Sequence, residues 1–136
     1  MINILEIQEP FRQRIADSGI FTADQIAWEN IVFTPSQKDL WCEERYLAVD
    51  EGRATSMGDR VDGIMQYSVH IPISHSHGSE LAITSGVALG SLFTSSEIIK
   101  TNNYSISVQS TKCSFQGKLD DKWYSYIIDI TFRGFE

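Results

Sequence analysis

This chain is predicted to be an α+β protein, a single domain over residues 1–136 with two helices packed on a mostly antiparallel sheet in the order α-β-β-β-α-β-β. Three features of the sequence predict it. Two stretches space their apolar residues as a helix does, several others alternate with period two, and the short links between the alternating stretches join antiparallel neighbours. At 136 residues the chain is long enough for one ordinary hydrophobic core.

From Asn3 to Asp17, the residues Ile4, Leu5, Ile7, Phe11 and Ile15 fall near helical spacing. Pro10 is expected to break or kink this helix, because it lacks an amide hydrogen, and "SG" at 18–19 to stop it. "QIAWENIVF", residues 25–33, is rich in β-branched and aromatic side chains and reads as the first strand, ended by Thr34-Pro35. "DLWCEERYLAVD" (39–50) reads as the second, and "EGRATSMGD" (51–59) as a loop or long hairpin tip.

Between Val61 and Ile73 the odd positions Val61, Gly63, Met65, Tyr67, Val69, Ile71 and Ile73 face one way, with mostly polar residues between them. A helix over 79–96 follows, with Leu81, Ala88, Leu89, Leu92 and Phe93 on one stripe. Gly86 and Gly90 each weaken that helix by about 1 kcal/mol relative to alanine, so four-residue glycine spacing predicts close packing on a sheet or a neighbour. Residues 102–115 and 122–135 form the last two strands, joined through "QGKLDDK". Tyr124, Tyr126, Ile128, Ile130 and Phe132 share one face of the final strand, and Trp123, Ile127 and Asp129 share the other.

Composition narrows the function. A formal charge of −7, with only eleven Lys and Arg in scattered positions, disfavours a phosphate-binding surface. No apolar run is long enough to span a bilayer, and the first nineteen residues lack the basic and apolar regions of a secretory signal, so the cytoplasm of the producing cell is the expected compartment. There Cys42 and Cys113 read as two half-buried thiols.

The stretch "HIPISHSHGSE" (70–80) contains all three histidines. His70, His75 and His77 could serve a small α+β enzyme or ligand-binding domain as base or metal ligands. A His-x-His without a cysteine or an acidic fourth ligand is a weak metal signature, however, and the same residues suit a strand end and helix start capped by Ser76 or Ser79, with Glu80 in the first turn. No Gly-x-Ser-x-Gly elbow and no phosphate-binding glycine loop occurs. Glu43 and Glu44 are adjacent on a strand and point to opposite faces, so they cannot pair in one site. The expectation is therefore no enzyme activity, no catalytic or metal residues and no cofactor.

Apolar residues on nominally outer strand faces, Trp123, Ile127, Ile64 and Trp41, instead suggest either cover by a helix or a subunit interface. The phrase "IAWENIVFTP" at 26–35, a second strand of acidic and aromatic content, and "GIMQYSVHIPI" at 63–73 with Gly63, Tyr67 and Pro72 resemble the tail terminator-like proteins of tailed bacteriophages. The resemblance covers roughly residues 20 to 135 in element order. It departs from the family pattern in "SHSHGSE" and in the charged "DEGRATSMGDR", which bears on partner choice more than on fold.

What the resemblance implies is a structural subunit of the virion tail. Such proteins form a ring, commonly of six, at the head-proximal neck, stop growth of the tail tube and join it to a head-completion or stopper protein after assembly in the host cytoplasm. DNA would pass through the channel without specific binding, and no membrane is involved. An acidic chain lining such a conduit repels the passing polyanion, and a ring needs two complementary patches on each copy. The candidate partner-binding residues are Asp50, Glu51, Arg53, Met57, Asp59 and Arg60 around the charged segment, together with Trp123 and Ile127. Titration of the histidines near pH 6 to 7 would tune that interface.

Overall fold

The computed structural model describes residues 3–29, 31–35, 39–55, 58–119 and 121–136, with the side chains of 48–55 and 119 outside the description. Helix α1 (Ile4–Ser18) is followed by a short 3-10 turn and strands β1 (Ile26–Ala27), β2 (Trp41–Thr55) and β3 (Gly58–Pro72). Helix α2 (Gly78–Gly90) and strands β4 (Ile98–Lys100), β5 (Ser105–Leu119) and β6 (Trp123–Phe135) complete the chain. The six strands form one sheet in the order β1-β2-β3-β6-β5-β4, antiparallel except for β1 with β2. The α+β class and its mostly antiparallel sheet are as the periodicity predicts.

Helix α1 begins where Asn3 Oδ1 accepts the Leu5 amide at 3.1 Å and ends at Gly19, whose φ of 73° suits a residue without Cβ. It runs on through Pro10 and does not stop there. Ile7, Phe11 and Ile15, spaced four apart, are fully buried, and the Phe11 ring meets Phe93 at 5.3 Å and Phe132 at 5.4 Å. Leu5, counted with this stripe from spacing alone, is 66% exposed.

Helix α2 packs on the same sheet face, against β3, β5 and β6. Its contact stripe is small: Gly78, Ala82, Ser85, Gly86 and Gly90 are buried with Leu89. A Cβ on Gly90 would lie 2.8 Å from Cys113 Sγ, and one on Gly86 would overlap the Tyr126 ring. The glycine spacing thus brings the helix backbone close to the sheet. The N-cap is His77, without a side-chain bond, so neither Ser76 nor Ser79 holds that place, while Glu80 does sit in the first turn. The helix ends at Gly90, six residues before the expected end. β4, which pairs with the start of β5, is an element the apolar pattern does not announce.

Two other expectations are corrected. The first strand is two residues long and not nine, and of the two readings of 51–59 the hairpin holds and the loop does not, since β2 pairs with β3 as far as Thr55 and Gly58. Register shifts at Ala48/Asp50 and Arg53/Thr55 mark bulges in this arm. Of the two thiols, Cys42 is fully buried but Cys113 is exposed, because α2 ends above it.

Candidate functional site

With both helices on one face, β2, β3, β5 and β6 present their other face without a helix over it among the described residues. Trp41, Glu43, Arg45 and Leu47 of β2 lie on it, beside His70, Ser68, Gln66 and Ile64 of β3 in register. Trp123, Ser125, Ile127 and Asp129 continue the rows on β6. Ile64 and Ile127 are half-buried and Leu47 is 38% exposed. Polar pairs frame them, including Gln66 Nε2 to Asp129 Oδ1 at 3.0 Å and Arg133 Nε to Asp62 Oδ1 at 2.6 Å.

The sequence-predicted partner residues do not form one patch. Asp59 and Arg60 lie near the β2–β3 hairpin tip, where Arg60 pairs in register with Phe135. Trp123 pairs with Pro72 at the other end, twelve residues along β3, or about 40 Å at the rise of a strand. Ile127 lies between them, opposite Ser68. Asp50, Glu51 and Arg53 belong to the distal part of β2, their side chains outside the description, and Met57 lies outside the described residues. Arg60 Nε is 3.6 Å from Asp62 Oδ2.

At the Trp123 end the face is an aromatic plate. The His70 ring lies 4.5 Å from Trp41 and 6.5 Å from Trp123, and Phe33 stacks on Trp41 at 5.3 Å. His70 Nδ1 is hydrogen-bonded to Ser125 Oγ at 2.7 Å, and Nε2 is 3.6 Å from Glu43 Oε1. His75 and His77 lie apart from it in the turn before α2, where His75 Nδ1 accepts the His77 amide at 3.2 Å. The described residues contain no group of three His, Cys, Asp or Glu side chains able to hold a metal ion.

Burial lowers the His70 pKa below the ordinary 6.5, although the Glu43 carboxylate opposes the shift. The unfolded chain therefore binds the extra proton first, and stability falls as pH drops below about 6.5, levelling off beneath the folded value. Denaturant titrations between about pH 7.5 and 5.5 are expected to show this loss in the wild type and a smaller slope in His70→Gln. Equal slopes would mean that other groups carry the pH dependence.

On the helix side, Glu44 is 3% exposed yet is a carboxylate. Arg12 approaches its Oε1 at 2.6 Å, the Glu29 amide donates to the same oxygen at 3.2 Å, and the Tyr67 hydroxyl donates to Oε2 at 3.0 Å. The Arg12 guanidinium also lies 5.6 Å from the Trp28 ring centroid. Glu29 Oε2 accepts the Tyr46 amide at 2.6 Å. This explains why β1 is short: after Ala27 a carboxylate, not a strand backbone, takes the next outward amide of β2. The Trp28-Glu29 phrase is thus a clasp that covers a sheet edge.

The Cys42 thiol, with its pKa pushed up by burial and by Glu44 and Glu43, is an unreactive packing group. Sequence reasoning placed Glu43 and Glu44 on opposite faces correctly. It missed the Arg12 partner and the Ser125 contact, which lie 32 and 55 residues away in the chain; a buried-strand pattern interrupted by one carboxylate was the available signal.

No protein-family model matches the chain, and no curated protein does. One solved structure, whose name describes no activity, is similar over 99% of this chain and 96% of its own, with TM-score 0.68 and 18% identity. At that identity the likeness shows a shared fold alone. No helix among the described residues is long and apolar enough to cross a membrane.

Proposed function

We propose that this chain is a structural subunit of a phage tail terminator ring, capping the head-proximal end of the tail tube and joining it to the head-completion proteins. The observation that carries the reading is the helix-free sheet face, where Leu47, Ile64, Ile127 and Trp123 lie among polar pairs. That mixture of apolar centre and polar rim is what a subunit contact requires. The resemblance of the Trp28-Glu29 phrase and of the element order supplies the identity of the assembly, and an acidic protomer suits a channel that passes DNA without holding it.

In this role the protein works by geometry. Each copy contacts the next through two different surfaces, and closure of the ring ends the growth that an open series would continue. The β2–β3 hairpin end near Asp59 and Arg60 is the part assigned to the tube or a neighbour. The alternative of a histidine-based enzyme finds His70 separated from His75 and His77 and enclosed by indoles.

Native mass spectrometry over a concentration series, with negative-stain imaging, tests the proposal. A closed ring that blocks further addition to purified tail tubes is the expected result. Ile127→Glu should weaken assembly by about 100-fold, the scale of a central contact, while leaving the protomer's circular dichroism unchanged. A strict monomer that also fails to cap tubes overturns the reading.

A further inference from the structure

The clasp at 27–29 and 31–35 leaves a cleft between itself and β2, lined by Trp28, Glu29, Phe33, Trp41, Glu43 and Glu44 among others. Its charges do not balance. Glu44 points to the helix side, where Arg12, which also lies against the Trp28 ring, already meets it. Glu29 is half satisfied by the Tyr46 amide. Glu43, its side chain 41% exposed, has the imidazole of His70 at 3.6 Å as its polar neighbour among the described residues. Beside it stands the Phe33–Trp41 stack, with ring planes 28° apart. The Trp41 Nε1–H is buried and has no acceptor among the described residues, although nearly all buried donors in folded proteins have one.

We propose that this cleft binds an organic cation, the guanidinium of an arginine side chain presented by a partner protein. A planar cation can lie against an aromatic face while its fork of N–H groups meets a carboxylate, and the ring stack and Glu43 supply both. Lysine offers a point charge without the planar stacking, and a phosphate or nucleic acid would meet carboxylates, so both fit less well. The site does not depend on the ring assembly, because every group in it comes from one chain.

The test uses the full chain and the indole N–H signals of its three tryptophans, assigned by single Trp→Phe variants, in NMR titrations with N-acetyl-arginine-methylamide. N-acetyl-glycine-methylamide and sodium chloride at matched ionic strength are controls, and tetramethylammonium is a second probe. The expected result is a saturable shift of the Trp41 signal by the arginine probe. Glu43→Gln is expected to raise the half-saturation concentration at least about fivefold, as loss of a charge-assisted contact would. Phe33→Ala should weaken binding in the same direction, which guards against a fold defect confined to one variant. Equal or tighter binding of tetramethylammonium would still support an organic-cation site but assign it to a small quaternary ammonium. Absence of a saturable shift, a shift equalled by the glycine probe or salt, or a Glu43→Gln protein that binds as the wild type does would overturn the proposal.

Discussion

Arg12→Ala is expected to destabilise the protomer by about 3 kcal/mol or more, the scale seen when one partner of a buried ion pair is removed. The Glu44 side chain has no solvent exposure and that of Arg12 has 19%. Truncation therefore strands a carboxylate, while water enters on the arginine side and limits the loss. The Tyr67 hydroxyl and the Glu29 amide would remain, two donors for a charge that now has three partners. Arg12→Lys should fall between wild type and alanine, since an ammonium keeps the charge but loses the fork and the stacking on Trp28. Urea denaturation with an unchanged m-value would measure this. A loss under about 1 kcal/mol would mean that water replaces the guanidinium at Glu44 and that the pair does not hold the clasp.

Gly86→Ala is expected to cost about 2 kcal/mol. In an isolated helix the exchange would gain about 1 kcal/mol, because alanine is the better helix former. Here the new methyl would overlap the Tyr126 ring, and Tyr126 is only 8% exposed, so the ring or the helix must move. Overpacking of this kind costs about 1–3 kcal/mol and outweighs the propensity gain. The decisive experiment is the double-mutant cycle with Tyr126→Ala. With the ring removed, Gly86→Ala should turn neutral or stabilising, a coupling of the size expected for side chains in direct contact. A cost that persists without the ring would place the constraint in the backbone of α2.

Much of the fold was legible because its signals are local. Alternation from Val61 to Ile71 and from Tyr124 to Phe132 marked strands whose inward residues are all buried apart from the half-buried Tyr124, and the four-residue glycine spacing predicted a helix lying close on a sheet. Gly63 is a further case, pairing in register with Phe132, whose ring lies where a Cβ would need space. The expected surface patch was less legible. Arg60, Ile127 and Trp123 are outward residues of the same sheet, whereas Asp59 follows the inward alternation of Val61, and the separation of these residues along the sheet is set by strand register, which alternation does not reveal.

Residues 25–33 have a strand composition and form only two residues of strand, since a glutamate carboxylate reached Tyr46 before the backbone could pair further. The same long-range logic governs Glu44, which the chain pattern marks as one more polar strand position and which Arg12 makes a buried anchor. It also governs His70, whose neighbours Trp41, Trp123 and Ser125 come from two other strands. Helix and strand type follow from apolar spacing within a few residues, and so they were written in the chain. Which polar groups are buried, paired or left facing a cleft depends on contacts across 30 to 60 residues, and only the closure of the sheet under its two helices decides them.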